Sequence, residues 1–288
     1  MRKRDGWLIG VVAGVLAMCA GEARGQSSAP LPCALEPGPT RAVASVPSGD
    51  TVRLDDGVEL RLLGVLAPKR RDGGTSSSTT APWPPASEAQ AFLAALVEGR
   101  SVALAFAGPH TDRYGRVLAH LFVDADGQQT WVQGRLVEQG HARAHALPGD
   151  PDPCHAALTA REHKSRQAGR GLWSHAAYQT RPADRPSELA KYRHSFQLVR
   201  GRIERVRMTR GLAILELASG ERQPAAEGKS QWGAFHVVWR RSATAKLKLP
   251  EATTLLGRNV LVRGWIEGRN GHGPEIELIA PGQLELED

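Results

Sequence analysis

Short apolar stretches separated by turn signals dominate the first part of the chain and limit what it can fold into. Three such stretches cover residues 41–47, 51–54 and 58–65. The breaks between them are Ser48-Gly49 and Asp55-Asp56-Gly57, and an Asp-Gly pair between apolar segments is a strong signal for a tight turn between strands. The pattern therefore predicts three successive β-strands joined by short turns.

A helix and two further strands are predicted after a loop at residues 70–85, which is rich in Gly, Ser, Thr and Pro. Ser87 is a suitable N-cap, and apolar residues then recur at helical spacing as far as Gly99. The other predicted elements are strands at 101–107 and 116–123 and helices at 131–140 and 154–168. Five strands with a helix after the third are typical of an OB fold, a small and partly open barrel.

A second β-rich unit is predicted at residues 195–288, after a polar linker at 176–194 that contains two prolines. Its predicted strands are 196–207, 211–217, 234–240, 259–267 and 275–279. Five strands again suggest an OB-like barrel. The chain is therefore predicted to be mainly β with helices (α+β), with one barrel domain at 41–175, a second at 195–288, and an irregular segment at 26–40 before them.

The first 25 residues have the pattern of a secretory signal. A basic start precedes an apolar run of 13 residues from Leu8 to Ala20, which is too short to span a bilayer. Ala23-Arg24-Gly25 offers a cleavage site between small residues. The expected location is the periplasm of a Gram-negative envelope or the medium. An uncleaved anchor and a lipoprotein attached through Cys19 are the alternatives.

Two cysteines, Cys33 and Cys154, remain once this signal is removed. An exported chain with two cysteines suggests one disulfide. The bond would close a long loop and stabilise the fold by about 4–5 kcal/mol on the chain-entropy model. The alternative is two separate buried thiols. Neither cysteine has the spacing of a zinc site.

The positive charge is concentrated in the second half of the chain. Residues 26–180 hold 15 basic and 15 acidic residues, whereas residues 181–288 hold 18 basic and 13 acidic ones. A nucleic-acid partner would be attracted to the second half through its phosphates. A polyanion is therefore a possible partner, while a protein partner is not predictable from the sequence.

Three motifs of the first unit occur in the order and spacing of the staphylococcal nuclease family, which the chain resembles over residues 41–173. They are Ser-Gly-Asp-Thr-Val-Arg-Leu at 48–54, Arg-Leu-Leu-Gly-Val-Leu-Ala-Pro-Lys at 61–69 and Asp-Arg-Tyr-Gly-Arg-Val-Leu-Ala at 112–119, and Gly171-Leu172-Trp173 stands at the end of the domain. The resemblance implies an OB barrel that cleaves phosphodiesters with calcium, two arginines and a carboxylate base.

The resemblance assigns roles to individual residues of the three motifs. It implies that Asp50 binds calcium and that Arg61 and Arg116 bind the scissile phosphate. Asp112 and Tyr114 fit the surrounding pattern. Two further carboxylates complete the family's site, and those positions are Leu66 and Lys69 in this chain.

The two missing acids predict little cleavage by the family's mechanism. Calcium takes roughly six to eight oxygen ligands, and Asp50 alone remains as a charged one. A general base is typically worth about 10²–10⁴-fold in rate, and Lys69 stands in its place. The chain is therefore expected to be a catalytically degenerate binder of nucleic acid or another anion, held in a cationic pocket of Arg61, Lys69 and Arg116. No cofactor is expected, and calcium would bind only if the nuclease site still works.

Other interpretations stay open at this point. The chain could be an active secreted phosphodiesterase in which Lys69, with a lowered pKa, or Asp72 serves as the base, so whether it is an enzyme is not decided. It could be an envelope scaffold for protein interactions. Arg61 could pair with Asp50, and Arg116 with Asp112, simply to hold the barrel together.

Three weaker features are noted for their possible chemistry. His141 and His145 have the i, i+4 spacing of a metal pair, but no third ligand accompanies them, so a solvated pair is expected. A run of arginines could contact nucleic acid or lie on a solvated edge strand: Arg200, Arg202, Arg205, Arg207 and Arg210. A group of aromatic residues could stack on bases, although core packing is expected for most: Trp232, Phe235, Trp239 and Trp265.

Overall fold

The computed structural model describes residues 31–70, 72, 83–125, 127–148, 153–220, 233–269 and 273–287. The predicted signal at 1–25, Trp232 and most of the loop at 70–85 lie outside the described residues. From Leu31 onward the described residues cluster in one compact unit. That unit contains two β-barrels.

The first barrel closes through five strands, with a helix between the third and the fourth. Its elements are β1 (Glu36–Ser48), β2 (Thr51–Leu54), β3 (Glu59–Leu62), β4 (Val65–Leu66), α1 (Pro84–Val97), β5 (Ser101–Phe106), β6 (Val117–Ala125), β7 (Gln128–Trp131), α2 (Val132–Glu138), β8 (Arg143–Ala144) and α3 (His155–Gln167). The pairing runs β1-β2-β3-β6-β5 and back to β1, and only β3 and β6 are parallel in this circuit of described strands. This circuit confirms the predicted OB-type barrel.

Alternation of side chains along the strands separates the core of the first barrel from its surface. In β3 the side chains of Leu60 and Leu62 are buried, whereas those of Glu59 and Arg61 are partly exposed. Successive residues of a strand point to opposite faces. Arg61 therefore lies on the outer face, opposite the apolar interior.

Helix α1 begins four residues before the predicted start, since its N-cap is Trp83 and not Ser87. Its first residue is Pro84, and Trp83 occupies the N-cap position without a side-chain capping bond. Proline is well suited to the first helical positions, since their N–H groups have no partner within the helix. The expectation that Ser87 caps the helix is wrong, because Ser87 lies inside it.

The second barrel repeats the strand order of the first. Its elements are β9 (Arg181–Pro182), α4 (Pro186–Leu189), β10 (Phe196–Met208), β11 (Leu212–Leu217), β12 (His236–Arg240), β13 (Asn259–Arg269), β14 (Gly273–Glu277) and β15 (Leu284–Glu287). The circuit is β10-β11-β12-β14-β13 and back to β10, with β12 and β14 parallel. Both barrels therefore have the OB order, as predicted, although the sequence has no clear internal repeat.

An apolar cluster lies between the two barrels. It joins Leu66 of β4 to Phe196 and Leu198 of β10, and it includes Trp173 and Tyr178 from the segment between them. Within residues 176–194, expected to be a linker, short 3₁₀ turns occur at Ala176–Tyr178 and Ala190–Tyr192. The segment thus contributes buried side chains to the packing between the barrels.

A disulfide joins two segments of the first barrel, and a buried ion pair joins the two barrels. The predicted disulfide between Cys33 and Cys154 is confirmed, with the Cα atoms 5.1 Å apart. It ties the residues before β1 to the start of α3. Arg263 of β13 is fully buried, donates to Glu162 of α3 at 2.6 Å, and also pairs with Glu285.

The arginines of β10 lie in two halves of one long strand. Residues 196–202 pair with β13, so the expectation of an edge is wrong for Arg200 and Arg202. Residues 203–208, which include Arg205 and Arg207, pair with β11 on one side among the described strands. Arg200 pairs with Glu287 across the sheet at 2.6 Å, and Arg205 pairs with Glu216 at 3.2 Å.

No helix of the described residues is long and apolar enough to cross a bilayer.

Candidate functional site

Asp50 lies in the tight turn between β1 and β2, and the barrel closes around it. Its side chain is 1% exposed, and its carbonyl oxygen accepts a bond from the Leu62 N–H at 2.9 Å. The neighbouring Gly49 allows the turn to pack tightly, since a Cβ there would lie 2.7 Å from the Cβ of Ala89 in α1. The turn therefore holds a carboxylate beneath the surface of the first barrel.

The Asp50 carboxylate is paired with the side chain at the family's base position. Nζ of Lys69 lies 2.7 Å from Oδ1 and 2.5 Å from Oδ2 of Asp50. Oδ1 also accepts from the Ser48 hydroxyl at 3.0 Å, and Oδ2 from the Ala67 N–H at 3.2 Å. A carboxylate has roughly four acceptor positions. This carboxylate is therefore close to saturated by donors of the protein.

The charges around Asp50 outweigh the cost of burying it. Burial alone would raise the pKa of Asp50, but the charge and hydrogen bond of Lys69, the charge of Arg61 and the Ser48 hydroxyl hold that pKa below its ordinary value. Asp50 is therefore an anion at neutral pH. Lys69 supplies its counter-charge while 45% of the Lys69 side chain stays exposed.

Arg61 differs from the other cations in having no counter-ion of its own. Among the described residues, no carboxylate or other acceptor contacts its guanidinium, although its charge acts on Asp50 and His145. Its strand neighbours are Thr51 on β2 and Leu118 on β6. The alternative in which Arg61 pairs with Asp50 is not what the structure has, because Lys69 takes that place.

Arg116 is paired with Asp112 in the turn that leads into β6. The Nε atom of Arg116 donates to Oδ2 of Asp112 at 2.8 Å, while the Tyr114 and Arg116 N–H groups both donate to Oδ1. Gly115 has φ +78°, a conformation that glycine adopts without strain. Asp112 therefore organises the turn and also neutralises Arg116, which was one of the alternatives considered.

These pairings change the predicted cationic pocket. The sequence suggested three cations without an acid to balance them, but Lys69 and Arg116 each have a carboxylate partner. The pair of Arg116 with Asp112 was one of the alternatives, whereas the pair of Lys69 with Asp50 was not foreseen and forms because the barrel brings the two segments together. Of the three cations, Arg61 is therefore the one whose positive charge has no carboxylate partner among the described residues.

Leu66, at the family's second acidic position, lies in the apolar cluster between the barrels. It is buried, and its cross-strand partner in β8 is Arg143. Arg143 donates to the carbonyl oxygen of Phe196 at 2.7 Å and packs over the rings of Tyr178 and Phe196. The position has therefore become part of the contact with the second barrel.

Asp72, which the sequence left open as a base, accepts hydrogen bonds from a tyrosine and from the main chain of Lys69. Its Oδ2 accepts from the Tyr178 hydroxyl at 3.0 Å and from the Lys69 N–H at 2.9 Å. Trp83 in turn donates its indole N–H to the Tyr178 oxygen at 3.0 Å. Burial, followed by the charge of Asp72, raises the pKa of Tyr178. This network fixes Asp72 beside the main chain of Lys69.

The two histidines at i, i+4 do not form a pair. His141 stacks on Phe92 of α1 with ring centroids 4.3 Å apart, and His145 packs edge-on against Phe196 at 5.3 Å. Both follow α2 rather than lying within a helix. Burial, then the charges of Arg61 and Arg143, lower the pKa of His145 to about 3. The expected solvated pair is wrong, since both rings are partly buried.

The donors present do not suit calcium. Asp50 is occupied by Lys69 and by protein hydrogen bonds, and Leu66 offers no oxygen from its side chain. Within the described ranges, no group of three or more His, Cys, Asp or Glu side chains has the arrangement of a metal site. A hard cation would have to displace the Lys69 ammonium to reach Asp50.

A small apolar cleft opens beside the Asp112–Arg116 pair. Its volume is about 230 Å³, and Leu63, Leu118 and Leu147 line it together with Asp112 and Arg113. Tyr114 lies at the same turn with 74% of its side chain exposed, and the guanidinium groups of Arg113 and Arg116 lie over its ring. The surface around Asp112 and Arg113 thus combines charged groups with apolar walls.

Sequence reasoning missed Arg143 and His145 as neighbours of this site. Both lie near residue 140, far along the chain from Arg61. They come close because β8 pairs with β4 and because the His145 N–H donates to the Gly64 carbonyl at 2.9 Å. The two-residue strand β8 has no periodic signal from which this contact could be predicted.

The comparisons with known proteins agree with this geometry. No curated protein matches the chain. The family model described as staphylococcal nuclease homologue matches residues 59–175. The match runs from β3 to the 3₁₀ turn at Gly171–Ser174 that follows α3, and it begins just after the segment that carries Asp50. Residues 59–175 of this chain therefore form a domain of the staphylococcal nuclease homologue family.

Proposed function

We propose that the first barrel binds an anionic ligand, and nucleic acid in particular, without cleaving it. The observation that carries the proposal is the distribution of charge. Lys69 and Arg116 have carboxylate partners, whereas Arg61 has none among the described residues. A guanidinium that lacks an acceptor is well suited to bind a phosphate oxygen pair.

The pairing of Lys69 with Asp50 supports binding over hydrolysis. The family's metal ligand is engaged by an ammonium group, and the family's base is replaced by that same group. Hydrolysis of a phosphodiester needs an activated water, which a metal or a base would supply. Among the residues that the structure describes, those near Arg61 supply neither in the arrangement that the family's chemistry requires.

We further propose that the protein acts after export, in the periplasm or outside the cell. The N-terminal pattern of a basic start and a short apolar run supports export, although it lies outside the described residues. The Cys33–Cys154 disulfide is compatible with an oxidising compartment. The basic second half would favour polyanions there.

A binding measurement tests the first part of the proposal. A labelled single-stranded oligonucleotide is titrated with the mature protein by fluorescence anisotropy at several salt concentrations. We expect affinity to fall steeply with salt, and Arg61→Ala to weaken binding roughly ten- to hundredfold, since a charge-assisted bond contributes about 1.5–3 kcal/mol. The control is Arg240→Ala, which removes one exposed positive charge from the second barrel.

Three outcomes would contradict the binding proposal. Binding that does not depend on salt would favour a protein-interaction scaffold. Equal losses from Arg61→Ala and Arg240→Ala would indicate a diffuse attraction and no site at Arg61. No measurable binding of nucleic acid or inorganic phosphate would remove the proposal altogether.

A cleavage assay tests the second part. We expect the unaltered protein to leave plasmid DNA intact in the presence of calcium. We also expect isothermal titration calorimetry to detect no calcium uptake. Lys69→Glu combined with Leu66→Asp restores the two acids and should restore calcium uptake, provided that the variant keeps the wild-type circular dichroism. Calcium-dependent cutting by the unaltered protein would show an active phosphodiesterase instead, and cutting that survives Arg61→Ala would place the chemistry elsewhere.

A further inference from the structure

Trp265 is an exposed aromatic side chain on the surface of the second barrel that faces the first. Its side chain is 45% exposed, whereas Phe235 and Trp239 are buried in the core of the second barrel. It lies on the outer face of β13, two residues from Arg263, which is buried against α3 of the first barrel. An exposed indole offers a flat π-face on which a nucleic-acid base can stack.

A row of rings leads from Trp265 to the neighbourhood of Arg61. Trp265 packs edge-on against Phe196 with centroids 6.0 Å apart, and Phe196 packs edge-on against His145 at 5.3 Å. The N–H of His145 donates to Gly64, which closely follows β3, and the charge of Arg61 acts on the His145 ring. The exposed indole therefore lies at one end of a row of rings whose other end, His145, is bonded to the segment that follows the strand of Arg61.

Strand pairing and the side chain of Arg143 hold Phe196, the middle ring of this row, in place. Phe196 and Trp265 are cross-strand partners in the β10–β13 ladder. The guanidinium of Arg143 lies 4.8 Å from the Phe196 ring and donates to the Phe196 carbonyl oxygen. A ring fixed in this way loses little conformational freedom when a ligand binds, so stacking on it is favourable.

We propose that Trp265 is a base-stacking platform that extends the Arg61 site to single-stranded nucleic acid. A phosphate binds at Arg61, and a base further along the strand stacks on the exposed face of the indole. The inference rests on the proposed function, because it needs Arg61 to bind a phosphate. It adds that the two barrels form one composite site, and that the ligand is recognised by its bases as well as by its charge.

The test compares two oligonucleotides of equal length and charge, one with bases and one abasic. We expect the wild-type protein to prefer the one with bases. Trp265→Ala should weaken binding of that oligonucleotide roughly 5- to 100-fold, down to the affinity for the abasic one, because stacking on an aromatic side chain has that effect for each base. Trp265→Phe should retain most of the preference. Leu256→Ala, which removes another exposed apolar side chain, is the matched control.

The outcomes separate this inference from the function on which it rests. If Arg61→Ala weakens binding of both oligonucleotides while Trp265→Ala affects neither, the anion site stands and the stacking platform is excluded. If Trp265→Ala weakens both equally, the residue acts on the structure of the interface and the inference also fails. If Arg61→Ala has no effect on either, the proposed function itself is wrong.

Discussion

The two barrels share one strand order but use their charged residues differently. Pairs of arginine and glutamate on different strands occur in both barrels, as Arg200 with Glu287 and Arg205 with Glu216 in the second, and Arg53 with Glu59 in the first. In the first barrel, Asp50 and Asp112 lie in turns and hold Lys69 and Arg116, while Arg61 has no such partner in the described part of the chain. The OB circuit is built from main-chain ladders and an apolar interior, so it does not dictate what the surface charges do.

The comparison also shows that the two barrels are not independent. The position at which the family has a second carboxylate is Leu66, which packs against the second barrel. Arg263 of the second barrel is buried against Glu162 of the first. The position where the resemblance leads one to expect a second acid is therefore part of the apolar contact between the barrels.

The largest expected effect concerns the disulfide of the first barrel. Replacing both cysteines, Cys33→Ser with Cys154→Ser, should lower the free energy of unfolding by about 4–5 kcal/mol, because the bond closes a loop of 121 residues. Urea denaturation at neutral pH measures the loss. Wild-type protein under a reducing agent is the control and should lose the same amount. A variant with an unchanged midpoint would mean that the bond does not restrain the unfolded chain.

A second change tests the contact between the barrels. Arg263→Met leaves the buried Glu162 carboxylate without its partner and should cost about 3–5 kcal/mol. Adding Glu162→Gln removes the unpaired charge and keeps an acceptor for the Ala144 N–H, so it should recover part of the loss. Urea denaturation of both variants gives the comparison. If the double variant is less stable than Arg263→Met, the charge of Glu162 is not the cause.

A smaller effect concerns the ion pair of Asp50 and Lys69 in the first barrel. Asp50→Asn should cost about 1–3 kcal/mol at pH 7, because it removes the charge that binds Lys69. The folded-state pKa of Asp50 is lowered, so its contribution to stability is fully present above the ordinary pKa of about 4 and is lost as pH falls through the folded value. The stability difference between wild type and variant should therefore shrink below about pH 4. A difference that stays constant over that range would contradict the ion pair.

The sequence by itself determined those features of this protein that depend on residues close together in the chain or on residue type. Apolar alternation and turn signals predicted the five strands of each barrel, since strand patterns are local. The order of three motifs predicted the family, and two cysteines predicted the disulfide. The boundaries of α1 were less accurate, because proline in the first turn competed with Ser87 as a start signal.

Only the tertiary structure decided which charges meet. Lys69 and Asp50 are 19 residues apart, and their ion pair exists because closure of the barrel brings the two segments together. Likewise Leu66, Asp72 and Trp265 acquired their surroundings from residues beyond position 140. Ion pairing and burial depend on distances in space, which no local pattern encodes, and they are the properties from which binding at Arg61 is inferred.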